Sequence, residues 1–207
     1  MTRSQNISVS ANLSCLIAMF LWATGFIAAE HLFETWGPLA MLSVRLVVSM
    51  GFLLLWWAMT EGAGAVVSAP WKEGVQVGAI GWGLGGIFLL MGQYYSDPIT
   101  TTIVVAMMPI AAATVEVVWD GRSLTRRLIW GIALAIAGGY LATGANIEDG
   151  NFGIGVLLCL GAIFLFAWAT RTTTHKFKRF TYTGQATITM AGATLVTLIF
   201  HALALIV

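Results

Sequence analysis

The chain has 207 residues, of which 58% are hydrophobic and only 9% charged. A soluble domain carries about a quarter charged residues, so lipid and not water is the expected solvent. A formal net charge of +1 supplies no basic excess for nucleic acid. The two cysteines, Cys15 and Cys159, sit in apolar runs and read as small buried residues, with no disulfide framework or metal site.

Apolar runs of about 20 residues, the length needed to cross the hydrocarbon core, recur along the chain. They predict seven spans, near 13–30, 38–59, 75–95, 99–119, 127–145, 152–170 and 184–205, and hence an all-α polytopic helical bundle. The first run exceeds a signal-peptide core of about 7–15 residues, so it reads as a retained helix. Turn and charge signals separate the spans: Gly37-Pro38, Ser68-Ala69-Pro70, Ser96-Asp97-Pro98, Asp120-Gly121-Arg122 and Glu148-Asp149-Gly150.

Charge placement sets an expected orientation. Arg3, Lys72, the group Arg122, Arg126 and Arg127, and the group Arg171, Lys176, Lys178 and Arg179 all fall on one side under alternating crossings. The opposite loops hold Glu30, Glu34, Asp97, Glu148 and Asp149 with no Lys or Arg. The positive-inside rule then predicts a multi-pass protein of a cell (inner) membrane, with residues 1–12 as a cytoplasmic N-terminal segment.

Trp22-Ala23-Thr24 in the first span recurs as Trp168-Ala169-Thr170 in the sixth. Five crossings separate the copies, which inverts the second relative to the first. Inverted repeats are the architecture of many secondary transporters. Leu21-Trp22-Ala23-Thr24-Gly25-Phe26, then Gly37-Pro38-Leu39-Ala40 with Arg45 in the next helix, Gln93-Tyr94-Tyr95-Ser96, Met108-Pro109-Ile110 and the stretch Gly131 to Gly144 extend the pattern. In these residues the chain resembles the EamA-type repeat of the drug/metabolite transporter superfamily. The resemblance implies a first five-helix repeat over 13–145 and an incomplete second repeat, two helices, over 152–207. The family pattern has ten helices, so it also implies about three beyond residue 207. One departure stands in the loop after the fourth span, where the family carries an acidic residue and this chain reads Asp120-Gly121-Arg122-Ser123-Leu124.

Several residues are candidates for substrate contact. Arg45 lies inside a span, where an arginine costs about 2.5–3.5 kcal/mol on insertion scales. Counted from Pro38 it sits about 10 Å below the outer surface. It either faces a cavity and attracts a carboxylate, or snorkels and pairs locally. By the same count Trp22 is at nearly that depth, as an aromatic wall or as packing. Pro109 weakens the ladder of the fourth span beside the adaptable Met107, for a cavity or for a kink. Glu116 counts about 15 Å deeper than Arg45, and is expected to meet Arg122, Arg126 or Arg127 instead. The repeat motif adds Thr24, Gln93, Tyr94 and Trp168. Trp56, Trp57, Trp71, Trp119 and Trp130 read as interfacial anchors. Gly74, Gly78, Gly81, Gly85 and Gly86 read as surfaces for close helix approach. His31, His175 and His201 are scattered without metal-binding spacing, and no set of residues suggests an enzyme or a cofactor.

The functional expectation is a gradient-driven carrier that exports a small organic metabolite, such as an amino acid, by alternating access. The alternative is a truncated or degenerate non-transporting membrane protein or partner subunit, in which a second copy or a partner chain completes the bundle. The topology has a direct test. Reporters fused after residue 124 or 178 should be cytoplasmic and one after 149 external; an external reporter at 178 overturns the seven-span arrangement.

Overall fold

In the computed structural model every element is a helix, among the described residues: 3–121, 123, 125, 126, 129–131, 133, 134 and 153–206. The elements are α1 (Arg3–Leu32), α2 (Pro38–Glu61), the short α3 (Ala63–Val67), α4 (Trp71–Tyr95), α5 (Pro98–Asp120), α6 (Ile154–Lys176) and α7 (Tyr182–Ala204). Six of them, all but α3, are long and apolar enough to cross a membrane. The expected span over 127–145 lies largely outside the described residues. The chain divides into two units, Met1–Trp36 and Gly37–Val207. The first is α1 with its following turn. Helix α1 begins at Arg3, so most of the expected N-terminal segment is helical.

Local chemistry sets the helix ends in the second unit. Proline opens α2 and α5 at their first turns, where its missing N–H costs nothing. Asp97 caps α5 by accepting from the Thr100 amide at 2.8 Å, and Thr181 caps α7 by accepting from the Gly184 amide at 3.2 Å. Helix α5 is interrupted at Met107 (φ −79°, ψ 1°), because Pro109 has no N–H to continue the ladder. It ends at Gly121, whose φ of 62° is left-handed. Helix α6 runs six residues past the expected end at 170, to Lys176. Thr170 and Thr174 donate to the carbonyls of Phe166 and Thr170 at 2.8 and 2.6 Å, which lets this polar stretch stay helical. Arg171 is therefore a helix residue and not a loop residue.

Glycines on α4 bring the bundle together. Spaced four, three and four apart, Gly74, Gly78, Gly81 and Gly85 would form one stripe on a regular α-helix. The segment Gly78–Leu84 is π-helical and turns through a smaller angle per residue, which divides the stripe between two neighbours. Gly74, Gly78 and Gly83 meet α7 at Ile188, Thr189, Ala193 and Val196, while Gly81, Gly85 and Gly92 meet α6 at Ala169, Phe166 and Cys159. A Cβ on Gly78 would lie 1.8 Å from the Thr189 carbonyl oxygen, and one on Gly192 of α7 would lie 2.1 Å from that of Val75.

The contacts also give directions. Gly74 meets Ile188 and Gly83 meets Val196, so α4 and α7 run parallel. Gly81 meets Ala169 and Gly92 meets Cys159, so α4 and α6 run antiparallel. Leu42 packs over Gly86, and the rings of Trp57 and Trp71 are 6.2 Å apart, so α2 runs against α4. Contacts described below make α5 and α6 parallel. One end of the second unit thus gathers Glu61, Asp120, Arg171 and Lys176, and is called the basic end here.

Trp57 corrects an expectation. It is fully buried rather than interfacial, packed with Val77, Ala169, Phe177 and Ile188. A Cβ on Gly184 would lie 2.9 Å from its ring, so the missing side chain makes room for the indole. Trp71 joins the same cluster and donates its indole N–H to the Val66 carbonyl at 2.8 Å. Trp56, Trp119 and Trp130 remain exposed.

The glycine contacts generate a graded prediction. Gly78→Ala places a methyl inside a carbonyl oxygen and should cost about 1–3 kcal/mol or more of stability. Gly86→Ala, where the nearest atom is 3.7 Å away, should be tolerated. Thermal unfolding in detergent measures both; equal melting of the two variants overturns the packing account.

Candidate functional site

The sequence candidates do not assemble into one constellation. Trp22 and Thr24 belong to the first unit. There, Trp22 packs edge-on against Phe26 with centroids 5.4 Å apart, and Thr24 donates to the Leu21 carbonyl at 2.7 Å. In the second unit Gln93 is buried, whereas Tyr94 is exposed and stands edge-on to Tyr95. Gly92 beside them meets Cys159, which is nine residues from Trp168 along α6, or about 14 Å. Gln93 and Trp168 therefore lie at different levels. Met107 is half-buried and Pro109 exposed, both at the interruption of α5.

Contacts give the level of Arg45 relative to α4. Leu42 is level with Gly86 and Trp57 with Trp71, so Arg45 falls level with Gly83, the middle of α4. From the Tyr95 end of α4 that is about 18 Å, and from Pro38 of α2 about 10 Å. The difference arises because α4 extends past the start of α2. Arg45 is exposed, at the edge of the packed stripe that includes Leu42, Leu46 and Trp57. The depth objection to an Arg45–Glu116 pair weakens accordingly, but α2 packs on α4 and α7 while α5 packs on α6. Of the arginines expected near Glu116, Arg122 and Arg127 lie outside the described residues.

Among the described residues a concavity lies between α4, α5 and α6. At one end α5 and α6 touch through small groups. Thr101 and Cys159 are both fully buried, with the thiol 3.8 Å from the hydroxyl oxygen. A Cβ on Gly155 would lie 2.8 Å from the Gly92 carbonyl oxygen, so α4 is equally close. Toward the basic end the helices leave a groove of about 400 Å³ lined by Phe88, Val115, Trp119, Gly161, Phe164, Leu165 and Trp168. Every lining residue is apolar. Trp82 stacks on Phe166 behind it, with centroids 5.4 Å apart.

At the basic end Asp120, the last residue of α5, meets Arg171 of α6. The guanidinium Nε donates to one carboxylate oxygen at 2.8 Å, and a terminal nitrogen donates to the other. This two-pronged pair connects residues 51 positions apart. Asp120 is the acidic residue at the point where the expected family carboxylate was seen to depart from pattern, and here it is engaged by a partner that sequence spacing does not reveal.

Of the eight sequence candidates only Trp168 lines the groove. Phe88, Val115, Gly161, Phe164 and Leu165 were not anticipated, since nothing in a continuous apolar run marks which face is open. Trp119, expected as an interfacial anchor, also lines it. Among the described residues no group of three His, Cys, Asp or Glu is placed to hold a metal ion. The groove offers an apolar, aromatic surface.

No curated protein and no solved structure matches the chain closely enough to serve as a relative. The model of the EamA-like transporter family matches residues 9–144. That match spans more than half of the chain and agrees with the membrane-spanning helices, so the chain belongs to the EamA-like transporter family, whose members are membrane transporters of small molecules and not enzymes.

Proposed function

We propose that this protein is a secondary carrier that exports a small organic metabolite, with amino acids first in line, by alternating access in a cell (inner) membrane. Its N-terminus is cytoplasmic in this reading, and the basic end of the second unit faces the cytoplasm. The observation that supports it most is the aromatic groove between α4 and α5 of the first repeat and α6 of the second. A seam between repeats is where carriers built on inverted repeats hold their solutes. Helices α2 and α7, the second helix of each repeat, run antiparallel: Trp57 meets Gly184, and Thr194 donates to the Leu46 carbonyl at 3.4 Å. Inverted copies have that relation.

Arg45 supplies the charge in this reading. An exposed guanidinium level with the middle of α4 is costly against hydrocarbon, and a water-lined cavity or an anionic group relieves that cost. A carboxylate-bearing solute fits, with Gln93, Tyr94, Met107 and Pro109 as further contacts in the second unit and Trp168 as the groove wall, and Trp22 and Thr24 are the solute contacts proposed for the first unit. A second copy or a partner chain completes the cavity where α2 and α7 present apolar faces.

Binding of radiolabelled amino acids to the protein in nanodiscs tests the reading. Saturable binding is expected, and Arg45→Ala should weaken it at least about tenfold while Arg45→Lys retains part, because charge survives without the two-pronged fork. Wild-type affinity in Arg45→Ala removes Arg45 from the site. Absence of saturable binding or uptake across a panel of amino acids and other small organic solutes overturns the carrier reading.

A further inference from the structure

The turn from Phe177 to Thr181, between α6 and α7, is pinned to the bundle at both ends. Helix α6 stops at Lys176, and Phe177 leaves helical geometry (φ −108°, ψ 28°) to bury its ring in the cluster with Trp57, Val77, Ala169 and Ile188. Phe180 packs against the same cluster, and its amide donates to the Phe177 carbonyl at 2.9 Å. The Gln185 side-chain amide donates to the carbonyls of Phe177 and Phe180 at 3.1 and 3.0 Å, which ties the turn to α7. Thr181 caps α7 and donates its hydroxyl to the Glu61 carboxylate at the end of α2.

With the aromatic rings turned in, Lys176, Lys178 and Arg179 stand exposed. Lys72, also exposed, follows Trp71, whose ring joins the cluster from α4. These four cations make no ion pair among the described residues. The carboxylates beside them are Glu61 and Glu73, and Asp120 is already taken by Arg171. Positive charge is therefore in excess on a turn whose backbone is fixed. Such a surface attracts an anion, and little ordering is lost when one binds.

Depth and surroundings select the anion. Lys176 is the last residue of one span and Lys72 the second of another, while Lys178 and Arg179 lie between spans. All four thus sit where hydrocarbon meets headgroups. At and just inside that level, α2 and α7 expose Trp56, Met59 and Tyr182, the last with 88% of its surface free. Cations above an apolar flank match a molecule that carries a phosphate at one end and hydrocarbon at the other. A water-borne phosphate has no use for the flank.

We propose that the α6–α7 turn and Lys72 form a binding site for an anionic phospholipid, with the headgroup phosphate on Lys178, Arg179 and Lys72 and the acyl chains along the exposed flank of α2 and α7. Clustered Lys and Arg at the end of a span are the chemistry that recognises such headgroups. The site does not depend on the carrier reading.

The test uses the full 207-residue chain in detergent, offered phosphatidylglycerol or phosphatidylcholine with identical acyl chains. Native mass spectrometry reads the lipid retained, and thermal unfolding reads the stabilisation that binding confers. Phosphatidylglycerol should be retained in preference and should raise the melting temperature. Lys178→Gln and Arg179→Gln should each weaken its binding about fivefold. Gln185→Leu keeps every charge but frees the turn, and should weaken it as well. Arg126→Gln removes a cation outside the turn and should leave binding unchanged. High salt on the unaltered chain should reduce the preference, which keeps the test available if Gln185→Leu unfolds. Equal retention of the two lipids, or a preference indifferent to salt, overturns the site. Full binding by Gln185→Leu, or a loss in Arg126→Gln as large as in Lys178→Gln, shows diffuse surface charge and overturns it too. Displacement by excess glycerol 3-phosphate assigns the cations to a water-borne phosphate and overturns the lipid.

Discussion

The contact of α4 with α6 and α7 through bare glycine backbone is the constraint on which the second unit depends. In lipid, apolar side chains gain little by leaving hydrocarbon for one another, so helices associate through close van der Waals contact and backbone approach. Gly78 against the Thr189 carbonyl and Gly192 against that of Val75 bring α4 and α7 nearer than any side chain would permit. The π-helical turn over Gly78–Leu84 then decides that a single stripe of glycines serves two partners. With α6 held against α4, the Thr101–Cys159 contact and the buried Ala111 and Val115 set α5 along α6.

Polar groups inside the unit follow the same economy. Helix α7 buries Thr187, Thr189, Thr194 and Thr197. Thr187, Thr189 and Thr194 donate to carbonyls one turn back, so their hydroxyls satisfy themselves on their own helix and leave small side chains for close approach. Thr194 also reaches the Leu46 carbonyl, which connects α7 to α2. Thr197 Oγ1 and the Trp57 indole N–H are buried without a partner. Shape, and not hydrogen bonding, is what holds Trp57: the indole occupies the space Gly184 leaves.

How far the sequence was legible varies with the physics behind each feature. Spans were legible because an apolar run of about 20 residues has few other uses. Directions were legible because Lys and Arg collect on one side, and the helix directions read from contacts in the second unit agree with that alternation. Helix ends were less so. Arg171-Thr172-Thr173-Thr174 reads as a loop by hydropathy, but threonine hydroxyls bonded to the helix backbone and a carboxylate at the right height keep it helical. Trp56 and Trp57 show the limit on facing. Adjacent residues point about 100° apart on a helix, and composition cannot say which of the two meets a gap; here Gly184, more than 120 residues away, decides it. The glycines were legible as packing surfaces, but not as two surfaces, because nothing in their spacing announces a π turn.

The site was the least legible part, for a reason specific to membrane spans. In a soluble protein a concave apolar surface stands out against polar neighbours. Here Phe88, Phe164 and Leu165 are surrounded by residues of the same character, and only their common placement around one groove distinguishes them. Arg45 was conspicuous because charge is rare in a span. Asp120 was noticed only as a departure from a pattern. Its meaning came from Arg171, which no local spacing connects to it. Small buried groups pack α5 on α6 along both of its halves, and a water-accessible charge pair is added where the second half ends. Dispersion contacts fall away within an ångström and favour a single arrangement. A solvated ion pair exchanges one set of partners for water at modest cost.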